Sequence, residues 1–242
     1  MRIERLSCFV LGSVAFALAA SALLRVEARV WPAPVPLNEA FSGIAHVIDG
    51  DTIQVGETRV RLDGIDAPES VQTCKRATGE EWACGTEATR AMRAMAEQKT
   101  IVCRNHGLDI YGRTLGTCFS GAVNVNAEMV RLGLAWAFVK YSTAYTTEEA
   151  IARRAKIGIW QGEALPAWDF RARQWAGAQV AGAVQHGPAG CPIKGNVTPN
   201  GRIYHMPWGR WYAKVKMDGH PEKRWFCTET EAQQAGWRPS YQ

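Results

Sequence analysis

No two cysteines in this chain stand at C-x-x-C spacing, so a structural zinc site has little support. There is also little excess of charge: 28 Lys and Arg against 23 Asp and Glu leave +5 over 242 residues. So mild a positive balance suits an anionic partner, yet many exported proteins without one share it, and alone it identifies nothing. The length allows one medium domain and a small one.

What is present begins at the N-terminus. Arg2 and Arg5 precede an almost wholly apolar run over residues 6–24, and charge returns at Arg25. That order predicts a secretory signal over residues 1–28, with small-residue exits at Val26-Glu-Ala28 or Ala20-Ser-Ala22. The run is 19 residues, nearly long enough to cross a bilayer, so an uncleaved membrane anchor is the alternative. Either way the rest of the chain is expected outside the cytoplasm, secreted or periplasmic. Losing residues 1–28 removes three arginines and two glutamates and leaves +4. Cys8 leaves too. The six that remain, Cys74, Cys84, Cys103, Cys118, Cys191 and Cys227, are an even number in an exported chain and argue for disulfides. Cys103 and Cys118 would face each other if their strands pair antiparallel. Cys74 and Cys84 would close the loop after Pro68, leaving Cys191 and Cys227 to staple the tail.

Residues 29–40 form a Pro-rich spacer containing Trp31-Pro-Ala-Pro-Val-Pro36. Strands are then predicted over residues 44–48, 52–55 and 58–65, with turns at Asp49-Gly50 and Gly56-Glu57. Ala88, Ala91, Met92 and Met95 share one helical face and predict a helix over residues 86–98. Two more strands follow over residues 100–103 and 114–119. Asn126 is the expected cap of a short helix ending near Gly133, and Thr146 with Glu149 the expected capping box of a third helix that stops at Gly158. Five strands with a helix between the third and fourth predict an α+β domain over residues 41–162: a five-stranded OB-type barrel with three helices. Residues 163–190, Ala-rich from 172 to 183, read equally as linker or helix. Residues 191–242 make a small disulfide-stapled module with an aromatic hairpin over residues 202–212, a strand over 224–227 and a helix capped by Thr228 with Glu231. Its Cys191, His205 and Cys227 could ligate a metal, but no fourth ligand is evident and a disulfide is favoured.

Asp49, Asp51, Asp66 and Glu69 gather four carboxylates into 21 residues, all at strand ends or turns. Like charges so close repel unless a cation or basic side chains offset them. A hard divalent ion held by oxygen ligands would do so. Taken singly, each Asp is an ordinary turn residue, and Asp63 is placed by strand parity beside Arg61.

In combination the motifs say more. Ile48-Asp-Gly-Asp-Thr52, Arg61-Leu-Asp-Gly-Ile-Asp-Ala-Pro-Glu69 and Asp109-Ile-Tyr-Gly-Arg113 occur in this order, followed by Asn126-Ala-Glu-Met-Val-Arg-Leu-Gly-Leu-Ala135 and Ala155-Lys-Ile-Gly-Ile-Trp160. The set resembles the staphylococcal (thermonuclease-like) nuclease family over roughly residues 42–161. The resemblance implies a calcium-dependent phosphodiesterase acting on DNA, RNA or both as an endonuclease that leaves 3′-phosphates. It implies that Asp51, Asp66 and the main-chain carbonyl of Ala67 hold the metal and that Glu69 is the general base. It further implies that Arg61 and Arg113 face the phosphate and that Tyr111 and Tyr141 touch the nucleotide. The family's Lys beside Tyr111 is Ile110 here, and a second family tyrosine falls at Val139. The tail resembles a small module appended to exported bacterial nucleases and cell-surface proteins, distantly similar to the metal-binding domain of Ada DNA-repair proteins.

These residue types suit the chemistry. Charge builds on the phosphoryl oxygens during hydrolysis, a carboxylate can take the proton of an attacking water, and arginine offers a planar fork that stays protonated. Two other readings are a non-catalytic OB-fold module that binds nucleic acid and a cell-surface structural protein. Neither needs a general base. No stable protein partner is expected, and the chain reads as a monomer.

Overall fold

The computed structural model describes residues 36–184, 187–217 and 221–240. The expected signal over residues 1–28 and most of the spacer lie outside them. The described residues belong to one compact unit.

Three strands open the fold: β1 (Ala40–Val47), β2 (Thr52–Val55) and β3 (Thr58–Leu62). Gly56, at a φ of +56°, makes the tight turn that sets Val55 opposite Thr58. The expected third strand divides at Gly64, beyond which β4 (Ile65–Asp66) leaves the barrel wall. A short hairpin of β5 (Cys74–Lys75) and β6 (Glu81–Trp82) leads to helix α1 (Cys84–Ala96), which buries Ala88, Met92 and Ala96. Next come β7 (Thr100–Leu108), β8 (Thr114–Ser120) and the two-residue β9 (Val123–Asn124).

β1 pairs antiparallel with β2 and β7, β7 with β8, and β8 returns parallel to β3, Val60 opposite Thr114. That last pairing closes a five-stranded barrel of the OB type. Burial along β7 alternates strictly from Thr100 to His106, as a strand with one face on a core requires. Ile53, Val60, Leu62, Ile101 and the α1 face fill the interior. Cys103 lies opposite Cys118 in the β7–β8 register, and the two form a buried disulfide. Cys74–Cys84 and Cys191–Cys227 are bonded as the positions suggested.

Three expected local features are different. Helix α2 (Val125–Arg131) is capped by Asn124, whose side chain accepts from the Ala127 amide. Asn126 is instead fully buried and satisfies the Cys118 amide and the Asp63 and Gly116 carbonyls, using both its N–H donors and its oxygen. After β10 (Trp136–Ala137), helix α3 (Thr146–Ala155) starts without a side-chain cap. The Thr146 hydroxyl turns back to the Thr143 carbonyl, and Glu149 accepts from the Ala137 amide and pairs with Arg153. In the tail, the hairpin is β11 (Ile193–Thr198) with β12 (Gly201–His205), turning at Pro199-Asn200. Residues 206–212 continue as turns and the start of a 3-10 segment rather than a second aromatic strand.

The undecided bridge is helix α4 (Ala167–Val184). Trp168, Arg171, Trp175, Ala178 and Gly182 fall three or four residues apart, along one stripe of it. Trp168 stacks on Phe138 at 5.3 Å and meets Trp136 edge-on, fixing the first turn on the barrel side. Trp175 packs against the tail core of Ile193, Tyr204, Phe226, Ala232 and Trp237. That core is completed by β13 (Arg224–Phe226), α5 (Glu229–Gln234), capped by Thr228 through the Glu231 amide as expected, and β14 (Arg238–Pro239). One helix thus carries the tail onto the barrel.

Candidate active site

The acids are placed by turns. The Asp49 carboxylate accepts from the Asp51 amide at 3.1 Å and tightens the β1–β2 turn, while the Asp51 carbonyl accepts from Leu62 on β3 at 2.8 Å. Asp51 is thereby buried, only 3% exposed, next to Thr52, which faces Arg61 across the β2–β3 ladder. Gly64 turns at a φ of +74°, where a Cβ would lie 3.0 Å from Ser142 and Tyr145. It sends Asp66 back beneath Arg61, and β4 is held there by β10, Asp66 opposite Trp136. The guanidinium of Arg61 bridges the pair, donating through Nη1 to Asp51 Oδ1 and through Nη2 to Asp66 Oδ1 at 2.6 Å. Asp63 does not take part in this bridge.

Glu69 comes from the loop after Pro68. Buried Gln72 accepts from its amide, donates to the Leu165 carbonyl at 2.6 Å and receives the Gly85 amide at its own carbonyl. The Cys74–Cys84 disulfide ties the same loop to the start of α1. There a Cβ on Gly85 would stand 1.7 Å from the Glu69 carbonyl oxygen, so only glycine lets the helix approach this closely.

A third cation enters from outside the expected set. Arg171 on α4 donates to Asp66 Oδ1 at 3.1 Å, to Asp66 Oδ2 at 2.8 Å and to Glu69 Oε1 at 2.8 Å. Three acids thus meet two guanidinium groups, with one negative charge in excess. Burial pushes the Glu69 carboxyl up to about 7 against the pull of Arg171, so the group exchanges its proton near neutral pH. Burial also raises Asp51, opposed by Arg61 and assisted by Asp49. For Arg61 and Arg171 burial acts the other way, but the carboxylates around each outweigh it and hold both above the ordinary arginine value.

Arg113 does not contact these acids. It lines the same cavity, its Nε donating to Asp109 Oδ2 at 2.6 Å. Asp109 Oδ1 also accepts from the Tyr111 and Arg113 amides, both at 2.9 Å, so one carboxylate shapes the β7–β8 turn and aims its arginine. The Arg113 guanidinium lies over Tyr111 at 5.2 Å. The cavity has a volume of about 480 Å³, and Arg61, Glu69, Tyr111, Arg113, Tyr141 and Arg171 all line it. Asp51, Asp66 and Ala67 lie behind that lining, and Ala67 donates its amide to Asp51 Oδ2 at 2.8 Å. Ile110 and Val139, where the family has lysine and tyrosine, are exposed.

Asp51 and Asp66 offer hard oxygens of the kind calcium takes. Yet among the described residues no group of three or more His, Cys, Asp or Glu side chains converges to hold a metal ion. Guanidinium groups supply the counter-charge. The Oδ2 atoms of Asp51 and Asp66 each accept one hydrogen bond, which leaves each a further acceptor site. His205, the other candidate ligand, is buried with neither ring nitrogen hydrogen-bonded, and Cys191 and Cys227 are already joined to each other.

Sequence reasoning missed Asp109 and Arg171. The first stands inside a quoted motif but was given no role. The second was detectable only as a charge on the stripe shared by Trp168 and Trp175.

The arrangement is an OB-type barrel with buried acids and arginines gathered at one cavity. Comparison with known proteins agrees. Residues 59–162 match the family model described as staphylococcal nuclease homologue. An uncharacterized endonuclease of Escherichia coli O157:H7 is 34% identical over 149 residues, 58% of this chain and 91% of that protein. A micrococcal nuclease of Shigella flexneri is 31% identical over 174 residues, covering 64% of this chain and 90% of its own. Succinoglycan biosynthesis protein ExoI of Rhizobium meliloti (strain 1021) is 35% identical over 131 residues, 52% of this chain and 67% of that one. The chain belongs to the family of staphylococcal nuclease homologues. It is a nuclease, a hydrolase of phosphodiester bonds.

Proposed function

We propose that the protein is an exported, calcium-dependent endonuclease that hydrolyses DNA, RNA or both and acts as a monomer. One observation carries this reading. Arg61, clamped between Asp51 and Asp66, lines one cavity together with Glu69 and Arg113. A phosphodiester in that cavity would lie near both guanidinium groups, and Glu69 stands beside Arg61's partners through Arg171.

In the step proposed, Glu69 takes a proton from water as the water oxygen bonds to phosphorus. The bond from phosphorus to the 5′ oxygen breaks, that oxygen leaves and gains a proton from solvent, and the phosphate stays on the 3′ side. Arg61 and Arg113 bind the equatorial oxygens on which charge accumulates. Asp51, Asp66 and the Ala67 carbonyl would hold the calcium ion, which supplies a positive charge against a phosphoryl oxygen. Arg171, which donates to both Asp66 oxygens, would compete with the ion for that carboxylate. Tyr111 and Tyr141 line the cavity where a base or sugar would lie.

Export is supported by three disulfides, which persist in oxidising compartments. The test is digestion of labelled single- and double-stranded DNA and RNA, with calcium and with excess chelator. Cleavage that requires calcium is expected. Cleavage undiminished by chelator would remove the metal from the reading, and binding without cleavage would remove the chemistry.

A further inference from the structure

We propose that the C-terminal module is the second wall of the substrate cavity and that its Trp208 stacks on a base of the bound strand. The proposal rests on the hydrolytic reading above and goes beyond the family domain, whose match ends at residue 162.

The cavity is not a property of the barrel alone. Facing Arg59, Arg61, Tyr111 and Arg113 are Tyr204, Met206, Trp208, Glu229 and Ser240 from the tail. Two electrostatic effects report how near the walls are. Burial raises the Tyr111 phenol and the Glu229 carboxylate raises it further. Burial and Glu229 raise the Tyr204 phenol, and Arg59 on the barrel draws it down. The tail wall is firmly placed. Tyr204 is fully buried, donates to Glu229 and receives Gln233 at 3.2 Å, while Trp208 packs on Trp175 of α4 with ring centroids 6.3 Å apart. α4 is in turn pinned to the barrel by Trp168 and by Arg171 within the acid cluster.

A volume of about 480 Å³ lies in the range that encloses one small ligand, roughly 300–1,000 Å³. One or two nucleotides drawn out of a stack fit such a space, whereas a duplex presents its phosphates on a wide, stiff cylinder. The lining also combines arginine with aromatic rings, the pairing by which single strands are held without reading their sequence. Trp208 is half-buried, with the tail core already filled by Tyr204, Phe226 and Trp237, and is the tail's own ring available to a base.

The experiment measures kcat and KM on a labelled single-stranded oligonucleotide, using full-length protein. Trp208→Ala should raise KM for the single strand about five-fold or more, the loss of one stacked base, and Trp208→Phe should restore most of it. Glu229→Gln keeps the link to Tyr204 and carries the test if Trp208→Ala does not fold. Removing that charge from the wall should lower KM for the single strand about two-fold or more. Unchanged KM in folded Trp208 and Glu229 variants overturns the proposal while leaving a working nuclease. No cleavage of any substrate by wild type overturns the hydrolytic reading instead.

Discussion

Replacing Arg171 by alanine tests whether α4 holds the acid cluster together. The guanidinium makes three charged hydrogen bonds, to a fully buried Asp66 and a nearly buried Glu69, and is itself only 22% exposed at the side chain. Breaking a buried pair by removing one partner costs about 3–5 kcal/mol because the other charge is left without compensation. Here Arg61 still neutralises Asp66, and Glu69 can take up a proton, so the lower end applies, about 3 kcal/mol. In a chain of this size that corresponds to a fall in Tm of roughly 6–12 °C. A calcium ion on the same carboxylates would substitute for the missing charge. At a hundred-fold excess over its Kd it adds about 2.7 kcal/mol, with more in the variant because no guanidinium competes for Asp66. Thermal unfolding of both proteins in chelator and in calcium reads this directly. The variant should be much the less stable in chelator and should recover most of the difference in calcium. A variant as stable as wild type in chelator, or one that calcium stabilises no more than wild type, would refute the reasoning.

Two further outcomes are expected. Asp109→Ala frees Arg113 from its 2.6 Å partner and loosens the turn that aims it. Cleavage should fall on the order of 10²-fold with the fold intact, and an unaltered rate would show that Arg113 needs no positioning. His205 is held below the ordinary imidazole value by burial, with Lys194 adding to the effect. It therefore takes up a proton less readily in the folded protein than in the unfolded chain, which binds one below about 6.5. Its contribution to stability is complete above that pH and is lost as the pH falls through it towards the lowered folded value. The midpoint of urea unfolding should thus drop more steeply between about pH 7 and 5 in wild type than in His205→Gln, and equal slopes would contradict this.

Much of this was legible because it is local. Asp49-Gly50, Gly56 and Gly64 are turn chemistry, and turns set the register that places Asp51, Arg61 and Asp66 within reach of each other. Cys103 and Cys118 could be paired on paper because two adjacent strands leave little choice of register. What could not be read depends on tertiary contacts. Arg171 is 105 residues from Asp66, on a helix so rich in alanine around its circumference that its functional stripe has no apolar contrast. Thr146 and Glu149 have the spacing of a capping box, but Glu149 is claimed by the Ala137 amide and Arg153. Asn126 could have capped a helix, yet three groups around β8 needed it inside. In each case a side chain with a good local use was taken by a distant partner that would otherwise be buried unsatisfied.

The central claim is that Glu69, held at the cavity by its loop, takes the proton of the attacking water. The measurement closest to it is the cleavage rate of a labelled single-stranded oligonucleotide by purified Glu69→Gln in saturating calcium, beside its unfolding midpoint. A loss of about 10²–10⁴-fold in kcat with the midpoint preserved is the predicted result. A folded Glu69→Gln protein that cuts at the wild-type rate would contradict it.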